Sequence, residues 1–423
     1  MTRVHVEVYG CSANQADAEI ASGILTEAGY MVGGEEEAEV TVILTCVVKT
    51  PTEVKLIRRI GELTAAGRRL VVAGCMPKAE RELVDRIAPE ASMVGPDDLS
   101  RVAEAVEAAA GGGRVVYLDG TSPDRTTLPR VRGDEIVHIA PISAGCLGNC
   151  SYCIVKLARG KLRSFPPEGI VDDAEAAVRS GCREIWVTAE DTAAYDSGGV
   201  RLPELLWLLS GIEGSFMIRV GMMTPSSALP ILGDLTEAFR GGKIFRFAHI
   251  PVQSGSDSVL SRMRRRYTVT EFRDLVEGLR GEVPDIGVAT DVICGFPGET
   301  DAQFGDSLRL VEWLRPDVLN ISRFWPRPGT EAESLSSQYT SRVTKDRSRA
   351  MNELWWRVNA EVNARWVGWE GEVIIDKQGH SGFKEGRTDT YKAVVLRTHA
   401  KLGDRVRVRV TEAAKGYLIG EES

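Results

Sequence analysis

Cys146, Cys150 and Cys153 stand in the run GCLGNCSYC with three and then two residues between them, a spacing that can hold three corners of an iron–sulfur cube on one short loop. Iron–sulfur clusters are normally held by four thiolates. Three clustered thiols with no fourth nearby leave one iron to a substrate or cofactor, as at an open catalytic metal site, so the motif points to an enzyme. The competing assignments are a structural zinc knuckle and three buried cysteines acting as small hydrophobes. Zinc ribbons pair one short Cys hairpin with a second, yet no other C-x-x-C or H-x-x-x-H occurs here and the five histidines are scattered.

A second set of cysteines is spread out along the chain. The apolar runs VHVEVY, VTVILT and LVVAG read as strands, and each is followed by a cysteine: Cys11, Cys46 and Cys75, 35 and 29 residues apart. That interval is one strand–helix repeat, with helical stretches predicted over 14–28 and 52–66. In an open parallel sheet the carboxyl ends of the strands share one edge, where ligands bind, so this register brings the three thiols to one place. Spacing alone does not name the metal, and a cysteine after a strand is also a common buried filler. A helix near 99–109 and a stretch rich in Gly, Pro and charge end this part around 125–132.

From about 134 to 330 the rhythm changes. Strands are predicted at IVHIAPIS, EIWVTAE, FMIRVGMM, IFRFAHIPV, GVATDVICG and VLNISRFWP, most of them separated by amphipathic helices over 169–180, 203–209, 229–239, 270–280 and 300–314. Consecutive parallel strands need crossover helices. Six repeats fall short of the eight that close a full barrel, so an open-sided partial (β/α)6 barrel is expected, with GCLGNCSYC at the carboxyl end of its first strand. A long helix over 344–366 leads to EGEVIID, YKAVVLR, DRVRVRVTEA and GYLIGE, short alternating runs that read as a small all-β barrel. Arg405, Arg407 and Arg409 alternate onto one face of it. The expected domains are 1–130, 131–365 and 366–423, an α/β multidomain chain.

Composition sets outer limits. A chain of 423 residues exceeds the size at which single cores stop growing. There is no run of eighteen apolar residues and no signal-peptide pattern at MTRVHVEVYG, so a cytoplasmic protein without a membrane partner is expected. Eight cysteines in a reducing compartment argue for metal binding over disulfides. The net charge is −8, but residues 341–423 carry 16 Lys and Arg against 12 Asp and Glu, which leaves −12 on the first 340. A basic tail on an acidic body permits local contact with a polyanion. Lys156, Arg159, Lys161 and Arg163 form a basic run after the cysteine loop, and RMRRR at 262–266 is either another or a solvated face.

With Tyr152 just before its last cysteine, the loop resembles the signature of the radical S-adenosylmethionine (SAM) superfamily. Cys11, Cys46 and Cys75 ahead of it and a TRAM-like tail behind it make the whole chain similar to the methylthiotransferases. TCVVKTPTEVK, CSYCIVKLARGKLRSFP, TAEDTAAYDSG, HIPVQSGSDSVLSRMRRRYT and TDVICGFPGET carry the likeness further. KLARGKLRS is similar to the archaeal and eukaryotic branch that acts on N6-threonylcarbamoyladenosine in tRNA. The resemblance implies two 4Fe-4S clusters. One, on Cys146, Cys150 and Cys153, would bind SAM and release a 5′-deoxyadenosyl radical. The other, on Cys11, Cys46 and Cys75, would carry the sulfur that a second SAM methylates. The product would be 2-methylthio-N6-threonylcarbamoyladenosine at position 37, beside the anticodon.

The resemblance also implies weaker roles. Glu190 and Asp191 would meet the methionine part of SAM, or else cap a helix. Gln253 and Ser254 would touch the ribose, or stabilise a turn. Gly295 and Pro297, with Gly298, would let backbone approach the adenine, or serve only the turn. Lys156, Arg159, Lys161, Arg163, Arg405, Arg407 and Arg409 would meet tRNA phosphates, and a ferredoxin or flavodoxin would supply electrons. Cys182 and Cys294 are expected as core fillers. The rival readings are a methylthiotransferase for isopentenyladenosine tRNA or a ribosomal-protein aspartate, and a non-catalytic iron–sulfur RNA-binding protein. The oligomeric state is left open.

Overall fold

The computed structural model describes residues 2–48, 50–121 and 124–423. Lys49 of TCVVKTPTEVK and Ser122 and Pro123 of the Gly- and Pro-rich stretch lie outside the described residues. Among those described, the chain builds a parallel sheet, an open half-barrel and a small closed barrel.

The first unit has strands β1 (Arg3–Val8), β2 (Met31–Val32), β3 (Val40–Thr45), β4 (Arg69–Gly74), β5 (Ser92–Val94) and β6 (Val116–Tyr117), all paired in parallel in the order β2-β1-β3-β4-β5-β6. The three long strands are those expected from the apolar runs. The other three have two or three residues each, too few to leave a periodic signal. Helices α1 (Ser12–Glu27) and α2 (Thr50–Ala65) follow β1 and β3, and the one-turn helix α3 (Cys75–Ala79) follows β4. Chain direction across the sheet reverses between β1 and β3, the switch point where such sheets open a crevice for ligands.

The second unit contains all six expected strands: β7 (Val137–Pro141), β8 (Glu184–Thr188), β9 (Met217–Val220), β10 (Phe247–His249), β11 (Gly287–Cys294) and β12 (Val318–Arg323). They pair in parallel in chain order, with single bridges at Ile218 to Ile244 and Met222 to His249 joining β9 to the β10 region. No pairing joins β12 back to β7 among the described residues, so the barrel is open-sided as expected. Helix α4 (Val155–Arg159) follows the cysteine loop, and the long helix α5 (Ser341–Ala364) leaves the barrel.

The third unit is a closed five-stranded barrel of β13 (Glu370–Gln378), β14 (Phe383–Arg387), β15 (Ala393–Arg397), β16 (Arg405–Ala413) and β17 (Leu418–Glu422). Its core is Val373, Ile375, Val394, Leu396, Val408, Val410 and Leu418. It docks on the amino ends of the half-barrel strands. Arg246, just ahead of β10, donates its N–H to the Asp389 carbonyl at 2.8 Å, and Lys392 Nζ lies 2.7 Å from Asp317 Oδ1, just ahead of β12. The thiols leave the opposite ends of the strands. No described helix is long and apolar enough to cross a membrane.

Glu184, the first residue of β8, is fully buried near this junction and accepts from Trp186 Nε1 at 2.9 Å. Its Oε1 has no partner among the described residues. Burial pushes its carboxyl up to about 7, aided by Asp376 and opposed by the Trp186 bond, Arg387 and Arg219. Because the folded-state pKa is raised, the protonated native form is favoured at low pH, and that stabilisation is lost as pH rises through about 7. Glu184→Gln is therefore expected to raise the unfolding free energy at pH 8 by on the order of 3 kcal/mol, and the melting temperature with it, and to lose that advantage near pH 5. Equal pH dependence of the two melting curves would refute this.

Candidate active site

The loop GCLGNCSYC is gripped from several sides. Ser151 N–H donates to Met263 O at 3.1 Å and its hydroxyl to Arg262 O at 2.8 Å, while Ala332 N–H donates to Ser151 O at 2.8 Å. Lys156 Nζ donates to Gly148 O at 2.8 Å. Tyr152 packs edge-on against Phe296 at 6.4 Å, and Phe296 against Phe324 at 5.4 Å. Gly148 N–H donates to Cys146 Sγ at 3.2 Å, and a methyl built on Gly148 would lie 3.2 Å from Cys146 Sγ and 3.7 Å from Cys150 Sγ, so two sulfurs curl around this glycine. Arg265 Nη1 donates to Cys150 Sγ at 3.2 Å. The RMRRR run is thus no plain solvated face, because its fourth residue turns inward to the cysteine loop.

The second set gathers at the switch point of the first sheet. Gly10 has φ +124° and its backbone lies so close to Cys46 that a methyl there would sit 2.5 Å from the Cys46 Cβ, so glycine is required at this crossing. Asn14, buried in the first turn of α1, donates through Nδ2 to Tyr9 O at 2.9 Å and Thr45 O at 2.8 Å, tying the ends of β1 and β3 together. Its Oδ1 lies 3.8 Å from Cys11 Sγ and 3.9 Å from Cys75 Sγ. Cys46 and Cys75 are buried and Cys11 is exposed.

Both sets have the donor chemistry of iron–sulfur sites. Burial pushes the Cys75 and Cys153 thiols up to about 12, so without a metal they stay protonated and are poor nucleophiles at neutral pH. Metal coordination deprotonates a thiol outright. Each set is a trio of thiols, and cysteine thiolates are the usual protein ligands of an iron–sulfur group. The residues present fit such a group at each set.

A buried polar knot lies beside the second set. Asp17 of α1 is 1% exposed and is shared by two guanidiniums: Arg125 pairs with Oδ1, and Arg159 Nη2 lies 2.7 Å from Oδ2. Arg159 Nη2 also donates to Asn14 Oδ1 at 2.9 Å, and its Nε lies 3.4 Å from Glu190 Oε1. Arg125 Nη2 donates to Pro96 O at 2.9 Å. Burial raises the Glu190 carboxyl, with Arg159 and Arg125 opposing, and its Oε2 has no partner among the described residues. A second tie comes from Arg327, which pairs with Glu53 of α2 and donates to Val48 O at 2.9 Å.

Several expected contacts fall elsewhere. Arg159, expected on RNA phosphates, is 2% exposed within the knot and out of reach of a polyanion. Lys156 is half-buried and braces the cysteine loop. Lys161 is exposed, and Arg163 lies 2.5 Å from Asp97. Asp191 is buried, with Oδ1 accepting from Thr224 N–H at 2.9 Å and Oδ2 from the Ser227 hydroxyl at 2.8 Å, so it holds the turn after β9. Ser254 is fully buried and accepts from Ser256 N–H at 3.3 Å, a bond that stabilises the turn. Gln253 is half-buried at φ +68°. The close approach that Gly295 permits is to Thr344 of α5, 2.6 Å from a built methyl, and Pro297 is buried in the same turn. That turn is locked by Glu299, which accepts from Gly295 N–H and Arg347 Nη1, both at 2.9 Å. Arg405 and Arg409 lie exposed beside Glu372 and Glu370 at 3.7 and 3.8 Å, and Arg407 is exposed between them. Cys182 and Cys294 are buried as expected. The motif reading missed Asn14, Asp17, Arg125 and Arg327. Their signal was weak, a polar residue at an unremarked helix or loop position.

Residues 140–311 match the radical SAM superfamily, residues 3–95 an uncharacterized protein family designated UPF0004, and residues 364–421 the TRAM domain. The chain is 44% identical to the probable threonylcarbamoyladenosine tRNA methylthiotransferase of Methanothermobacter thermautotrophicus, with 99% of each chain covered. It is 36% identical to the threonylcarbamoyladenosine tRNA methylthiotransferase of Drosophila melanogaster, over 99% of this chain and 77% of that one. In fold it is similar to the radical SAM methyltransferase TsrM of Kitasatospora setae, solved with tryptophan and a SAM analogue, at a TM-score of 0.58 and 15% identity over 79% of this chain and 75% of that one. Half-barrel, cysteine loop and family match together define a radical SAM enzyme. More narrowly, the chain belongs to the threonylcarbamoyladenosine tRNA methylthiotransferase family.

Asn14→Ala removes the two donors that join β1 to β3 and the acceptor that faces Arg159. The variant is expected to keep about half of its iron after anaerobic reconstitution, because only the second set is disturbed; full iron content would show that Asn14 does not shape that site.

Proposed function

We propose that this chain is a radical SAM tRNA methylthiotransferase that converts N6-threonylcarbamoyladenosine at position 37 to its 2-methylthio derivative. The observation that carries the reading is the pair of three-thiol sets, one at the carboxyl ends of each parallel sheet, with Arg159, six residues after Cys153, reaching Asn14 beside Cys11 and Cys75. Cys146, Cys150 and Cys153 would hold one 4Fe-4S cluster and Cys11, Cys46 and Cys75 the other. When bound, the clusters and SAM supply the one-electron chemistry and the methylthio group. The chain's own work is to bind, orient and shield.

Glu190 is the better of the two expected carboxylates for the SAM ammonium, since one of its oxygens is unpartnered while both of Asp191's are taken. Tyr152 and Arg265 hold the cysteine loop in shape beside it. For tRNA, the rim between the two sets is marked by exposed apolar side chains: Leu147 beside Cys146, Leu157 on α4, Val48 after Cys46, and Trp325, which is 53% exposed. Trp325 follows the buried Phe324 and lies two residues from Arg327, which is anchored on Val48. Exposed Lys161 and Arg323 flank this rim. Aromatic faces with nearby cations stack unpaired bases, so Trp325 suits the anticodon loop. Arg405, Arg407 and Arg409 lie on the barrel docked at the other end of the strands, and would meet phosphates away from the loop. The reading further includes domains at 1–130, 131–365 and 366–423, a cytoplasmic setting, and a ferredoxin or flavodoxin as electron donor.

Nucleosides of tRNA from a strain lacking this gene are expected to lose 2-methylthio-N6-threonylcarbamoyladenosine by mass spectrometry, and its persistence would sink the substrate assignment. Anaerobically reconstituted protein given dithionite and SAM is expected to form 5′-deoxyadenosine; none would favour a non-catalytic RNA binder. Trp325→Ala should raise KM for tRNA about tenfold while that background SAM cleavage is unchanged, and an unaltered KM would remove Trp325 from the RNA contact.

A further inference from the structure

Arg159 belongs to the half-barrel, yet two of its partners, Asn14 and Asp17, lie in the other unit beside that unit's cysteines, while Glu190 is its partner from the half-barrel. Its Nη2 is 2.9 Å from Asn14 Oδ1, and that same oxygen is within 3.9 Å of Cys11 Sγ and Cys75 Sγ. The guanidinium is 2% exposed, so water does not screen it. It remains charged under all ordinary conditions. We propose that Arg159 poises the iron–sulfur site of Cys11, Cys46 and Cys75, the radical SAM half-barrel thereby supplying the positive charge that favours the one-electron reduced state of the site in the neighbouring sheet.

The inference rests on the proposed two-cluster reading. Reduction adds one electron and one negative charge to a site already rich in thiolate, and a fixed cation nearby stabilises the more negative state. Two acids temper Arg159: Asp17, which it shares with Arg125, and Glu190. The direction of the effect does not depend on them. Removing Arg159 makes the surroundings more negative by up to one charge, less where Glu190 takes up a proton once the opposing cation is gone, and removing Asp17's charge makes them more positive. The alternative role for Arg159 is purely structural, as a strut between the two units. A strut affects stability and iron content, but it does not predict midpoint shifts of opposite sign for the two substitutions.

The test is a redox titration, with dithionite and mediators and paramagnetic resonance detection. It uses the full chain carrying Cys146→Ala, Cys150→Ala and Cys153→Ala, so that only the second site gives a signal. Arg159→Gln keeps hydrogen-bonding groups toward Asn14 and Asp17 but loses the charge. It is expected to shift the reduction equilibrium at least tenfold toward the oxidised form, about 59 mV for a one-electron couple. Arg159→Lys should restore most of the parent midpoint. Asp17→Asn should move it the other way, so either arm decides if one variant fails to keep its iron. Unchanged midpoints, or shifts of the same sign, in proteins with full iron at this site would overturn the proposal. Failure of the underlying reading looks different: protein with Cys11→Ala, Cys46→Ala and Cys75→Ala would then retain all of its iron.

Discussion

The arrangement of this molecule depends on one buried carboxylate held by two guanidiniums. Asp17 comes from the first sheet unit, Arg125 from the connecting segment and Arg159 from the half-barrel. Burying three ions costs several kcal/mol each unless the geometry is good and the remaining donors are satisfied. Here Arg125 finds the Pro96 carbonyl, its Nε alone having no partner among the described residues, and Arg159 finds Asn14 and Glu190. Such a knot has few alternative geometries, since displacing one member leaves a buried charge at a cost of about 3–5 kcal/mol. It therefore sets the position of each unit against the other, and with it the relation of the two thiol sets. The tie of Arg327 to Glu53 and Val48 adds a second point of attachment between the two units.

Parallel sheets give the fold its polarity. In both sheet units every strand delivers its following loop to the same edge, which is why Cys11, Cys46 and Cys75, after three different strands, can converge on one place, while Cys146, Cys150 and Cys153 share a single loop. The small barrel is docked on the other end of the half-barrel strands, through Arg246, Asp317 and Lys392. An RNA bound at both the thiol rim and the Arg405 strand must therefore reach along the half-barrel, which suits an extended, structured substrate better than a short oligonucleotide. The acidic net charge is no obstacle, because many of the carboxylates nearest the rim are internally paired, as Glu53, Asp17 and Asp97 show.

Much of this was legible in the chain. The six half-barrel strands, the three long strands of the first sheet and most of the closed barrel follow from apolar runs, some of them longer than the strand they mark, as IFRFAHIPV is for the three residues of β10. The strands β2, β5, β6 and β14 left no readable period. The cysteine sets were legible because thiols are rare and their spacing is tied to a turn or to a strand–helix repeat. The basic run after Cys153 was misleading. Lys156, Arg159, Lys161 and Arg163 look alike as letters, but only Lys161 stays free in water, while Arg159 is carried inward by α4 against α1. Asp191 and Ser254, whose letters allowed either a cofactor contact or a turn, both hydrogen-bond within turns.

By itself the sequence determined which residues can hold metal, that they come as three and three, and that parallel strand–helix repeats bring each trio to a strand edge. These are properties of local period and short-range spacing. Only the tertiary structure decided which charges meet them, since Asn14, Asp17, Arg125, Arg159 and Glu190 lie as much as 176 residues apart and share no periodic relation. Their assembly depends on burial, where an ion without a partner is too costly to keep, and burial is a property of the packed units together.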